Sequence, residues 1–152
     1  MLKRNKFLID ILLLCSLLIA FFSGKALTGT EAIVCWIVHI AVSIAFVILL
    51  CVHLAVNGRG WFDAGKNFFR GEKYKWVRGR YVVDWLLMII WGVVLVSGIP
   101  AIFYKLGDDG YFLLTKAFHS GFSTLGIVLI IVHVFQHKKQ IKAYLSKQKN
   151  QA

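Results

Sequence analysis

The chain has 152 residues, a length for which one domain is the natural count. Hydrophobic residues make up 59% of it and the mean hydropathy is +0.71, well above the roughly 45–50% apolar content of soluble domains. The net charge of +11 sits between and after long uncharged runs, as topology signals at a membrane surface do, which argues against nucleic acid as a partner.

The first apolar run covers about residues 7–22. Its basic start (Lys3, Arg4, Lys6) resembles a signal peptide, but Asp10 interrupts it and no small-residue cleavage site is obvious, so an uncleaved helix is expected. The second run covers about 32–56, the third 81–103 and the fourth 117–135. Each is close to the ~20 residues that cross a hydrocarbon core. Turn formers lie between them: Gly24 to Thr30, Asn57-Gly58-Arg59-Gly60, and Gly107-Asp108-Asp109-Gly110. The linker at about 59–80 mixes Trp61, Phe62, Phe68, Phe69, Tyr74 and Trp76 with basic residues, which predicts an amphipathic helix on the cytoplasmic leaflet. Pro100 predicts a bend or an end to the third helix.

Fifteen of the eighteen Lys and Arg residues lie in the N-terminus, the second linker and the C-terminal tail. Only Lys25, Lys105 and Lys116 lie in the other two linkers. The positive-inside rule therefore predicts that both termini are cytoplasmic.

The chain also repeats itself. Lys6-Phe7-Leu8-Ile9-Asp10 aligns with Arg80-Tyr81-Val82-Val83-Asp84, and each segment reaches Ser-Gly at the same spacing, Ser23-Gly24 and Ser97-Gly98. The segment from His39 to His53 aligns with that from His119 to His133, sharing Ser43/Ser123 and Val52/Val132. The expected fold is an all-α integral-membrane four-helix bundle, a single domain over 1–152 built from two repeated helical hairpins with something bound between the halves.

Four of the five histidines fall inside apolar helices, where ionisable side chains are costly and usually functional. His39 and His53 are fourteen residues apart, as are His119 and His133. Fourteen residues is just under four turns, so each pair shares a helix face at a separation of roughly 21 Å. Helices two and four run in the same direction, which puts His39 level with His119 near the outside and His53 level with His133 near the inside. Two facing imidazoles at each level suit the two axial positions of a haem iron. Zinc fits less well, since it takes three or four ligands at one level. The expectation is two bis-histidine b haems. The competing reading of a single membrane histidine is a satisfied packing residue, but two equally spaced pairs in repeated helices are harder to explain that way.

Gly126 lies midway between His119 and His133, where a glycine serves either haem clearance or helix packing. Gly121 is near the outer ligand, and Phe46 holds the equivalent midpoint of helix two. His137, one turn past His133, is read as an interfacial or propionate-pairing residue, with an alternative inner ligand as the other possibility. Asp10 and Asp84 each follow a basic residue by four, as structural ion pairs with Lys6 and Arg80 do; the functional alternative is a proton acceptor beside a quinone. Asp108 and Asp109 read as a solvated turn, or as a docking point for a basic partner. Ser43 and Ser123 are expected to bond back to helix carbonyls. Cys15, Cys35 and Cys51 form no CxxC and read as small buried hydrophobes. No nucleophile–base triad, phosphate loop or zincin motif is present, so hydrolytic catalysis has no support.

The constellation resembles the cytochrome-b superfamily, and within it the small prokaryotic four-helix cytochromes called flavinylation-associated cytochromes. Lys6 with Asp10, Trp36 with His39, His53 followed by Asn57 and Trp61, and the pair His119 and His133 carry the likeness, over about residues 6–140. Gly58-Arg59-Gly60 separates Asn57 from Trp61, where the family usually has Asn-Trp together. The resemblance implies a prokaryotic inner-membrane protein and electron exchange between the membrane quinone pool and an extracytoplasmic flavin-bearing or other redox protein. It implies an electron-transfer subunit of an oxidoreductase complex rather than a stand-alone enzyme. A proton or metal-ion transporter using the same histidines, without haem, is the alternative from another class.

Overall fold

The computed structural model describes residues 2–27, 33–66, 75–103 and 110–149. The described residues form four helices and no strand: α1 (Leu2–Ala26), α2 (Ile33–Lys66), α3 (Lys75–Phe103) and α4 (Gly110–Lys149). Each contains a stretch long and apolar enough to cross a membrane, namely Lys6–Ala26, Ile33–Gly58, Gly79–Pro100 and Leu114–Ala143. The shortest has 21 residues, and at 1.5 Å per residue it reaches about 30 Å, the depth of a hydrocarbon core. This is the make-up of a multi-pass membrane protein.

The helices outrun the apolar runs that mark them. An apolar run records the thickness of the bilayer, whereas a helix ends where its backbone bonds end, and propagating an existing helix through polar residues is cheap. Thus α4 continues through Lys138, Lys139 and Lys142, and α2 continues through Asn57-Gly58-Arg59-Gly60 to Lys66. A glycine inside a helix costs about 1 kcal/mol, which weakens it without breaking it. The segment 59–80, expected as a separate surface helix, is instead shared: 59–66 close α2, 75–80 open α3, and 67–74 lie outside the described residues. Asp108, Asp109 and the first linker at 28–32 lie outside them too. Pro100 does not end α3, which runs on to Phe103. It removes only a bond of the last turn, where the loss is least.

The chain divides into two compact units, Met1–Asp63 and Ala64–Ala152, with one helical hairpin in each. In the first, Lys6 Nζ donates to the Val56 carbonyl at 3.1 Å, and His39 Nδ1 meets the Ala20 carbonyl at 2.8 Å, so α1 and α2 run antiparallel. In the second, His133 meets Asp84 and His119 meets Val94, which sets α3 and α4 antiparallel in the same way.

The repeat is visible in burial as well as in sequence. The alternation of buried, half-buried and exposed residues over 37–56 recurs unchanged over 117–136. Ser16, Leu17 and Ala20 are buried in α1, as are Ile90, Trp91 and Val94 at the matching positions of α3. Large apolar side chains such as Phe22, Ile48, Val96 and Phe135 are exposed, an arrangement suited to lipid rather than water.

Candidate functional site

The four histidines on the apolar helices are all held by the same ring nitrogen. His39 Nδ1 donates to the Ala20 carbonyl at 2.8 Å, and His119 Nδ1 donates to the Val94 carbonyl at 2.9 Å. His53 Nδ1 bonds the Asp10 carboxylate at 2.7 Å, and His133 Nδ1 bonds the Asp84 carboxylate at 2.9 Å. A carbonyl or carboxylate oxygen can only accept, so Nδ1 carries the proton in each ring. In the neutral imidazole the lone pair is then on Nε2. A ligating histidine is commonly prepared for a metal in this way, with one nitrogen anchored and the other basic.

Each anchor has a local cause. At the carbonyl end, the ring of His39 lies so close to α1 that a β-carbon on Gly24 would sit 2.8 Å from its Cε1. A β-carbon on Gly98 would likewise sit 3.0 Å from Cε1 of His119. The two glycines are therefore seats for the rings. The serines before them bond back into the same turn: Ser23 Oγ donates to Ala20 O at 3.1 Å, and Ser97 Oγ donates to Val93 O at 2.7 Å while lying 3.1 Å from Val94 O. At the carboxylate end, Asn57 Nδ2 donates to the His53 carbonyl at 3.0 Å, one turn on. The expected Lys6–Asp10 ion pair gives way to other partners, since Asp10 is bonded to His53 and Lys6 caps a carbonyl of α2. Asp84 is bonded to His133 in the same manner.

Between the two ends, Gly126 is buried against Trp91 of its own hairpin. A β-carbon there would lie 3.1 Å from Cζ2 of the indole and 3.4 Å from Cγ2 of Ile90. The space this glycine leaves is taken by Trp91. In the first hairpin the matching positions hold Leu17 and Phe46, both buried. The bulky partner has moved from one helix to the other. Ser123 Oγ donates to the His119 carbonyl, as expected of a serine inside an apolar helix.

His137 makes the second hairpin unlike the first. Its ring lies 4.6 Å from that of His133, and its Nδ1 bonds Gln140 Oε1 at 2.8 Å. Its Nε2 is buried and has no hydrogen-bond partner among the described residues. Ligand atoms of Asp84, His133 and His137 all lie within 4.8 Å of one another. This level thus offers more than the single histidine per helix that spacing gave. A cleft of about 400 Å³ nearby has an apolar wall of Val132 and Phe135 and a rim carrying Arg80, Lys138 and Lys139.

Sequence reasoning missed Gly24 and Gly98 as histidine seats, although the shared Ser-Gly pair was their signal. It also treated Asp10 and Asp84 apart from the histidines they hold. The carbonyls of Ala20 and Val94 carry no side-chain signal at all. Comparison with known protein families, with curated proteins and with solved structures finds no match.

Proposed function

We propose that this protein is a membrane electron-transfer cytochrome holding two b haems, one ligated by His39 and His119 and the other by His53 and His133. The observation that carries this reading is the uniform anchoring of all four rings through Nδ1, which leaves the lone pair of each on Nε2. Four incidental histidines have no reason to share a tautomer. The equal spacing in two repeated helices supports the pairing across the hairpins. Haem b supplies a one-electron iron couple; the chain supplies the axial nitrogens, holds their orientation and surrounds them with apolar side chains.

The distribution of Lys and Arg supports cytoplasmic termini, which puts the carbonyl-anchored histidines towards the outside and the Asp-anchored ones towards the cytoplasm. The resemblance to flavinylation-associated cytochromes supports a prokaryotic inner membrane, exchange with the quinone pool, and an extracytoplasmic flavin-bearing or other redox protein as partner. The visible spectrum of the purified protein after dithionite tests the reading. Reduced b-type bands at two haems per chain are expected. Their absence from protein made with haem supplied would sink it.

The cluster of Asp84, His133 and His137 favours a second reading, in which the histidines carry a transition-metal ion or protons without haem. That reading requires Zn²⁺ or a similar ion to bind the protein as purified, and replacement of His137 to abolish that binding.

A further inference from the structure

The two ends of each hairpin hold their histidines with acceptors of different charge. The bonds are alike in length, 2.7 and 2.9 Å to Asp10 and Asp84 against 2.8 and 2.9 Å to Ala20 and Val94. Distance therefore does not separate them, but the acceptor does. A carboxylate makes a charge-assisted bond that draws the Nδ1 proton towards itself, which raises the basicity of Nε2. A peptide carbonyl is neutral and does this less. The carbonyl of Ala20 is also shared, since it accepts the Ser23 hydroxyl at 3.1 Å as well.

We propose, on the haem reading above, that Asp10 and Asp84 order the two redox centres. They make His53 and His133 the stronger electron donors, so the iron these two hold has the lower potential and the iron held by His39 and His119 the higher. Stronger donation favours iron(III) over iron(II), and hydrogen bonding behind the axial ligand is one of the protein's means of tuning a haem. Asp10 and Asp84 are positioning residues, acting only through the rings they hold. Downhill exchange between the two centres then runs one way. With haem bound, an electron would pass from the centre held by His53 and His133 to the one held by His39 and His119, the first being oxidised as the second is reduced, and no third reactant would be needed. With cytoplasmic termini that direction is outward. Both hairpins supply the same contrast independently, one through Asp10 and Ala20, the other through Asp84 and Val94.

A potentiometric titration of the reduced b-type band in the purified protein tests this. Two midpoints are expected. His39→Ala should leave the haem with the lower midpoint, and His53→Ala the haem with the higher. The reverse assignment overturns the ordering. Asp10→Asn with Asp84→Asn should raise the lower midpoint and leave the other in place, while Asp10→Glu with Asp84→Glu should keep it low. An unmoved lower midpoint, or equal movement of both, also overturns it. Wild-type protein without b-type bands overturns the haem reading and this ordering with it; two haems in the reverse order overturn the ordering alone.

Discussion

The first hairpin and the second keep different things constant. Histidine, its anchoring oxygen and the glycine beneath the carbonyl-anchored ring recur at matching positions: His39, Ala20 O and Gly24 against His119, Val94 O and Gly98. The packing between the two levels does not recur. Leu17 and Phe46 become Trp91 and Gly126, a large and a small residue exchanged between the helices. At the carboxylate end Asn57 becomes His137. The geometry around the rings is thus held tightly, while the layer between them needs only the right total volume. Cores generally tolerate such exchanges.

On the haem reading, the largest effect should come from the four proposed ligands. If the hairpins are equivalent, His39→Ala and His119→Ala should each remove the same spectral component, and His53→Ala and His133→Ala the other. Haem content per chain should halve in every case. Four unrelated spectra would break the equivalence.

Next come the seats. Gly24→Ala and Gly98→Ala each drive a methyl into a histidine ring, and loss of orientation behind a ligand typically costs about 10–100-fold in metal affinity. The overlap is closer at Gly24, 2.8 against 3.0 Å, so haem titration should find that variant the more impaired.

The middle layer offers a sharper test. Gly126→Phe alone should destabilise the protein by about 1–3 kcal/mol or more through overpacking against Trp91. Adding Trp91→Leu copies the first hairpin's pair and should recover most of that loss in thermal unfolding. Additive losses would show that the two layers are not interchangeable. The smallest effect is expected at Asn57, where alanine removes a neutral bond of about 1 kcal/mol and, on the haem reading, leaves the haem content unchanged.

The sequence made the four spans legible because a bilayer imposes a long apolar run on any helix that crosses it. It hid where the helices end, since polar residues such as Lys139 extend α4 at little cost. The histidines stood out because they are rare in such runs, and the repeat doubled their signal. The link from His53 to Asp10, 43 positions apart, follows only once the helices are set antiparallel. Gly126 shows the opposite difficulty. A glycine in sequence says that something is close, and only the fold says that it is the Trp91 indole.

The bonds from His39 and His119 end on main-chain oxygens, and this affects how such a protein can change over time. No substitution at position 20 or 94 deletes the acceptor, because every amino acid brings the same carbonyl. Alanine at one and valine at the other already do the same work. Asp10 and Asp84 have no such shelter, for a single codon change removes their carboxylate. Lineages carrying this architecture should therefore exchange apolar residues at the carbonyl positions, within what the packing there admits, while the aspartates stay fixed. A search for kin by residue identity would then see one end of the site and overlook the other.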